Sequence, residues 1–198
     1  MRPPLALLYQ TGVPAAPFCE FADSLRANSI NVHLEERPPL GPLAGVVWTM
    51  LTGAAVFIAS SYFGGILKEI GKDHYELLKR ALAKVTQKTM ETERIEPVLI
   101  GTGGKLSQTD PFSMAFSVWA ETPGGRTIKL LIPKKTGEVD YTAVTNAFLD
   151  FIARCYDEGE GVLAETGFDI TRRGGSPVTV AYNPETGKIE WANPFANR

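Results

Sequence analysis

The stretch from Lys72 to Tyr75 holds the densest group of side chains that could do acid–base chemistry. A histidine titrates near neutral pH, so His74 can accept or donate a proton, and the groups beside it can hold a substrate or share that proton. The candidate catalytic residues of a small hydrolase or transferase are therefore Lys72, Asp73, His74 and Tyr75. The competing interpretation is structural, because Asp73 suits a helix N-cap and Glu76 follows at the capping-box spacing.

A glycine-rich loop at residues 101–107 offers a different kind of site. Bare backbone N–H groups can converge on an anion, and residues 97–135 carry 5 basic and 2 acidic side chains. The spacing differs from that of a P-loop, and a strand rather than a helix is expected to follow. The candidate residues for binding an anionic ligand are Gly103, Gly104, Lys105 and Arg126. The alternative is a flexible loop between strands.

Metal and nucleotide chemistry find little support in the sequence. The chain has 2 histidines and 2 cysteines, so a multi-histidine metal site is excluded, and the Cys/His spacing of zinc sites is absent. There is no Gly-x-Ser-x-Gly motif and no dinucleotide fingerprint. We therefore expect neither a metal ion nor a cofactor.

Cys19 stands between a predicted first strand and a predicted first helix. The residues Ala16-Pro17-Phe18-Cys19 resemble the Cys-Pro-Phe-Cys loop of glutaredoxins, with Ala16 in place of the nucleophilic cysteine. The resemblance implies a redox role for Cys19 at the resolving position, near a helix N-terminus that lowers a thiol pKa. Without that role, Cys19 is expected to pack in a helix core. Cys19 and Cys155 are both expected to be free thiols in a reducing cytoplasm.

Hydrophobic periodicity predicts the elements that position these residues. The chain opens with a β-α-β unit, in which strands at 5–11 and 30–35 flank a helix at 18–28. Two further helices are predicted at 68–90 and 139–156. The remaining predicted elements are a short strand at 97–100 and two hairpins, made by 113–121 with 126–132 and by 178–182 with 188–191.

Residues 43–67 form an apolar stretch of 25 residues without a charged side chain. About 20 apolar residues can span a bilayer core, and the basic residues from Lys68 onward would place the following chain in the cytoplasm. Four glycines, two threonines and two serines weaken the case for insertion. We therefore expect a buried helix of a soluble protein here, with a membrane-inserted or interfacial helix as the alternative.

The composition is typical of a globular protein with a sizeable core. An apolar content of 44% and a net charge of -2 exclude a disordered chain and argue against a nucleic acid as partner. We predict an α+β fold with an opening β-α-β unit, a central helical segment, and a mostly antiparallel sheet of hairpins covered by a late helix. The chain is expected to form one domain, 1–198, with possible sub-units at 1–37, 38–96 and 97–198.

Three functional hypotheses are compatible with these features. The first is a non-catalytic, cytoplasmic binding or protein-interaction module, whose partner is an unknown protein or small molecule. It predicts a cleft or an exposed apolar patch. The second is a membrane-acting protein that inserts segment 43–67, and the third is the hydrolase or transferase built on His74 and its neighbours. The stripe of small residues in segment 43–67 also suggests a homodimer.

Overall fold

The computed structural model describes residues 3–38, 52–65, 72–92, 111–135, 137–172 and 177–192. These ranges contain seven strands, four α-helices and one 3-10 helix. The strands are β1 (Leu5–Gln10), β2 (Val32–Arg37), β3 (Ala54–Ile58), β4 (Phe112–Glu121), β5 (Thr127–Pro133), β6 (Val178–Asn183) and β7 (Lys188–Trp191). The helices are α1 (Ala16–Arg26), α2 (Ser60–Gly65), α3 (Lys72–Glu91), α4 (Tyr141–Asp157) and the 3-10 helix Glu160–Thr166.

The seven strands form one mixed sheet in the order β2-β1-β3-β4-β5-β6-β7. Three neighbouring pairs are parallel, namely β1 with β2, β3 with β4, and β5 with β6. Each parallel pair is interrupted in the chain by helical structure, which is α1 in the first pair, α2 and α3 in the second, and α4 with the 3-10 helix in the third. The other three pairings are antiparallel and join these units to one another and to β7.

One face of the sheet, which we call the helix face, carries the hydrophobic core. Alternate strand residues point to it, as the two-residue period of a strand requires. They meet the apolar stripes of the helices, and α3 packs between α1 and α4. The helical spacing of apolar residues that predicts these helices gives one buried stripe on each of them, in α1 (Phe18, Phe21, Ala22, Leu25) and in α4 (Tyr141, Val144, Phe148, Phe151, Ile152).

The predicted α+β class is confirmed, and so are the opening β-α-β unit and both hairpins. The sheet is mixed rather than mostly antiparallel. The difference arises because helical structure returns the chain to a parallel neighbouring strand three times, whereas the sequence pattern predicts this arrangement in the first unit alone. The strand predicted at 97–100 lies outside the described residues.

The prediction of a helix through residues 43–67 is wrong for its central part. Ala54–Ile58 forms strand β3, in the middle of the sheet, and α2 begins at Ser60. One face of β3 points into the core and the other carries the apolar residues Ala55 and Phe57, so its apolar run is continuous and resembles that of a buried helix. Within the ranges given above, no helix has the length and apolar character needed to cross a membrane.

Candidate functional site

The sheet face opposite the helix face contains a cavity of about 840 Å³. Its floor consists of outward-pointing side chains from three adjacent strands. They are Ala6, Leu8, Ala55, Phe57 and Trp119. We call this side of the sheet the cavity face. All five side chains are partly exposed, so a concave, mainly apolar surface is accessible from outside.

The strand register explains why these side chains meet. Ala6 pairs with Phe57 across β1 and β3, and Phe57 pairs with Trp119 across β3 and β4. The next row of the same face contains Leu8 and Ala55. Residues paired across neighbouring strands have their Cβ atoms about 5 Å apart, so the floor is continuous. Because each contributing residue belongs to a hydrogen-bonded strand, the floor is built on a rigid support.

Trp119 is held in place by polar contacts at the edge of the floor. Its indole Nε1 donates to Ser117 Oγ at 2.7 Å, and Ser117 Oγ lies 2.9 Å from Thr52 Oγ1. Lys129, the cross-strand partner of Trp119 on β5, places its Nζ 5.0 Å from the centre of the indole ring. These contacts fix the plane of the ring that borders the cavity.

Lys129 is the most deeply buried charged residue of the cavity face within the described ranges, with 1% of its surface exposed. Burial lowers the pKa of its amine to about 7, because a charged amine loses solvation away from water. Near neutral pH the amine is therefore divided between charged and neutral forms. Lys129 does not line the cavity, although its Nζ lies over the ring of Trp119, which does.

Strand β2 supplies a polar rim along one side of the cavity. His33 Nε2 lies 3.1 Å from Glu35 Oε2, and Arg37 binds the same carboxylate through Nε at 3.0 Å and Nη2 at 3.2 Å. The Arg37 and His33 hydrogen bonds hold the pKa of Glu35 below its usual range. The negative charge of Glu35 is thus already balanced by a forked guanidinium contact.

Glu121 lines the cavity at the far end of β4. It lies two residues beyond Trp119 and therefore on the same face of the strand. Its Oε2 accepts a hydrogen bond from the backbone N–H of Ser60 at 3.2 Å. The hydroxyl of Tyr156 donates to the Glu121 backbone carbonyl at 2.8 Å, which fixes the strand at this point.

The predicted cluster Lys72–Tyr75 lies on the first turns of α3 and contributes nothing to the lining of the cavity. Asp73 lies inside the first turn rather than at the predicted N-cap, because the helix already begins at Lys72. A carboxylate there still stabilises the helix through its dipole. Tyr75 donates its hydroxyl proton to Asp150 Oδ1 at 2.8 Å, and Lys79 Nζ lies 2.6 Å from that oxygen. The cluster thus joins α3 to α4 through Tyr75, while His74 is half-buried.

Arg126 lies in the turn between β4 and β5, where its guanidinium contacts the protein itself. Nε approaches Glu160 Oε2 at 3.3 Å, while Nη2 and Nη1 donate to the carbonyls of Ile170 at 2.8 Å and Arg172 at 3.2 Å. Glu160 also accepts the hydroxyl proton of Thr122. The structure therefore gives Arg126 a role in tying the turn to the segment after α4. Its predicted companions Gly103, Gly104 and Lys105 lie outside the described residues.

Cys19 is exposed on the first turns of α1, so the expectation that it packs in a helix core is wrong. The second cysteine, Cys155, is fully buried on α4, and burial raises its thiol pKa to about 11. No disulfide links them. Among the residues with described placement, no group of three or more His, Cys, Asp or Glu side chains is arranged to hold a metal ion.

The two thiols should react at very different rates. We expect Ellman's reagent to titrate one thiol per chain, Cys19, within minutes at pH 8, and the second one when urea unfolds the protein. The Cys19→Ser variant is the control, and it should show no rapid phase while its unfolded form still yields one thiol. A rapid reaction of two thiols in the native wild-type protein would contradict the burial of Cys155.

The sequence pattern does not predict the cavity face, for two reasons. The apolar run over 54–58 predicts a helix, which gives Ala55 and Phe57 no position in the sheet. The signal that could have revealed the floor is the uninterrupted apolar run in β1 and β3, since a strand with one wet face usually alternates with polar residues. Trp119 lies on a strand as predicted, but the sequence pattern does not reveal its cross-strand neighbours Phe57 and Lys129.

Comparisons with known proteins identify no relative for this arrangement. No protein-family model, curated protein or solved structure matches the chain.

Proposed function

We propose that the protein is a binding module that holds a small organic molecule with a flat apolar body on the cavity face. The observation that carries this proposal is the cavity of about 840 Å³ floored by Phe57, Trp119 and their small apolar neighbours. Ligand cavities of roughly 300–1,000 Å³ with an apolar floor and a few polar groups are typical of sites for small molecules. The size and lining of this cavity fit that description.

The sizes of the floor residues support a flat occupant. Ala6 and Ala55 leave space above the sheet, whereas Phe57 and Trp119 supply aromatic surfaces side by side. Aromatic rings favour offset stacking or edge-to-face contact with another ring. Polar groups at the margins, such as Arg37 and Glu121, then orient the occupant without adding to its buried apolar area.

The hydrolase or transferase hypothesis has weaker support. It requires Lys72, His74 and Tyr75 to converge on a substrate, yet Tyr75 is engaged with Asp150 and none of the three lines the cavity. Catalytic groups need reach to a bound substrate before their protonation states matter. The binding module therefore remains the function that the geometry supports best.

A neutral fluorescent probe tests the proposal directly. N-pentyl dansylamide has an aromatic body, no net charge, and an emission that rises and shifts to the blue in an apolar site. We expect saturable binding by the full-length protein with a Kd in the micromolar range. The Leu8→Ser variant, which makes the floor polar, should weaken binding by about tenfold, because a buried leucine contributes roughly 1.5–3 kcal/mol of apolar contact.

The matched control for this experiment is Ile170→Ser. Ile170 is 39% exposed and lies outside the lining of the cavity, so its replacement should leave the Kd unchanged. Urea unfolding of both variants checks that they are folded. Absence of saturable binding by the wild-type protein, or equal effects of the two substitutions, would refute the proposed site.

A further inference from the structure

We propose that the bound molecule carries a primary ammonium group, which Glu121 binds at the end of the cavity next to Trp119. This inference rests on the proposed function and specifies the chemistry of its ligand. It concerns the carboxylate of Glu121 at the end of the cavity, because the proposal of an apolar occupant does not explain a charged group there. A carboxylate at the margin of an apolar cavity loses hydration when the cavity fills, unless the occupant brings a compensating donor.

The contacts of Glu121 leave room for such a donor. Oε2 receives the backbone N–H of Ser60, and within the described ranges no basic side-chain nitrogen lies within 4.0 Å of either carboxylate oxygen. The carboxylate has about four lone-pair positions, so most of its hydrogen-bonding capacity remains for a ligand. An ammonium group has three N–H donors and matches this capacity with a charge-assisted bond.

The other carboxylate on the cavity, Glu35, is a poorer choice for a cationic ligand. It already receives two hydrogen bonds from Arg37 and lies 3.1 Å from His33. A ligand ammonium there would be repelled by the guanidinium. Both carboxylates line the same cavity, but the charge of Glu35 is neutralised by Arg37, so the Glu121 end is the more favourable place for a ligand ammonium.

Lys129 also restricts how an ammonium can bind. Its Nζ occupies a position over the Trp119 ring, 5.0 Å from the centroid. Because the amine already fills that position, a ligand ammonium cannot take the same place over the ring. The ammonium is therefore held by the Glu121 carboxylate, and the indole contributes apolar surface to the carbon chain that precedes the ammonium.

A matched pair of probes tests this inference. Dansylcadaverine has the same dansyl body and five-carbon chain as N-pentyl dansylamide, with an ammonium at the chain end. We expect the wild-type protein to bind dansylcadaverine about tenfold more tightly at pH 7.5 and low salt, the gain typical of a charge-assisted hydrogen bond. In Glu121→Gln, whose amide oxygen can still accept the Ser60 N–H, the preference should fall to about twofold or less.

The control is Glu185→Gln, which removes an exposed carboxylate in the turn between β6 and β7, outside the lining of the cavity, and should retain the preference for dansylcadaverine. A preference that persists in Glu121→Gln, or that disappears in Glu185→Gln, would overturn the assignment to Glu121. Tighter binding of N-dansyl-6-aminohexanoic acid than of dansylcadaverine would show an anion site instead. If both neutral and charged probes bind wild type equally, this inference fails and the proposed function stands; if no probe binds, both fail.

Discussion

Replacing Lys129 with methionine should remove most of the pH dependence of stability that the wild-type protein shows between pH 7 and pH 8.5. In the wild-type protein we expect the free energy of unfolding to rise by about 1–2 kcal/mol over this interval. The cause is the burial of Lys129, which is 1% exposed and whose pKa lies at about 7 instead of 10.5. Urea unfolding at pH 7.0, 7.5, 8.0 and 8.5 measures the effect.

The sign follows from the protons bound by each state. Between pH 7 and pH 8.5 the unfolded chain keeps the Lys129 amine protonated, while the folded protein loses that proton. The unfolded state therefore binds more protons, and the free energy of unfolding increases with pH. The interval ends at pH 8.5 because Cys155, whose pKa is raised to about 11 from 9, acts in the opposite direction at higher pH.

Lys188→Met is the control, since Lys188 is exposed on β7 and belongs to the same sheet. It should leave the pH dependence of the wild-type protein intact. Lys129→Met should be at least as stable as wild type at pH 7, because methionine fills a similar volume without a charge to bury. An undiminished rise in stability with pH in this variant would show that another group is responsible.

The same substitution at two consecutive residues should have opposite outcomes in the middle of the sheet. Val56→Asp should abolish cooperative folding, because it places a carboxylate in the core at a fully buried position of β3. The cost exceeds about 4 kcal/mol, which is comparable to the whole stability of many domains. Phe57→Asp should remain folded, since Phe57 points to the partly exposed cavity face, but it should lose binding of N-pentyl dansylamide.

Circular dichroism and urea unfolding measure the first outcome, and probe fluorescence measures the second. The contrast depends on the alternation of a strand, in which neighbouring residues point to opposite faces. Equal destabilisation by the two substitutions would contradict the assignment of residues 54–58 to a strand with one accessible face. Val56→Ala offers a milder variant that should fold with a loss of about 1–3 kcal/mol.

Local sequence patterns predict the helices and strands that have one face in the core and the other in water. The stripe of Phe18, Phe21 and Leu25 predicts α1, and the turns around Gly125 and Gly187 predict both hairpins, because local chemistry decides these features. For residues 54–58 the same local patterns predict a helix, although these residues form strand β3. One face of this strand lies in the core and the other forms part of the apolar cavity floor, and periodicity cannot distinguish a strand that is apolar on both faces from a buried helix.

The candidate site was harder to predict than the fold, because its members are scattered along the chain. Ala6, Phe57 and Trp119 become neighbours through the pairing of three strands, and none of them carries a reactive group. Tyr75 and Arg126, which are predicted to act in catalysis and in ligand binding, make structural contacts with Asp150 and Glu160 respectively. Apolar recognition leaves a weak local signal because it depends on shape rather than on particular functional groups.

The order of the strands has a consequence for how the sheet can assemble during synthesis. After β1 and β2, every further described strand pairs with one that has already been made, and strand order then follows chain order through to β7. Because β3 and β4 each pair with a strand that precedes them in the chain, neither needs a strand from later in the chain before it can join the sheet. The floor of the cavity is thus complete once β4 has emerged from the ribosome, whereas Lys129, on the next strand, reaches its place above Trp119 afterwards.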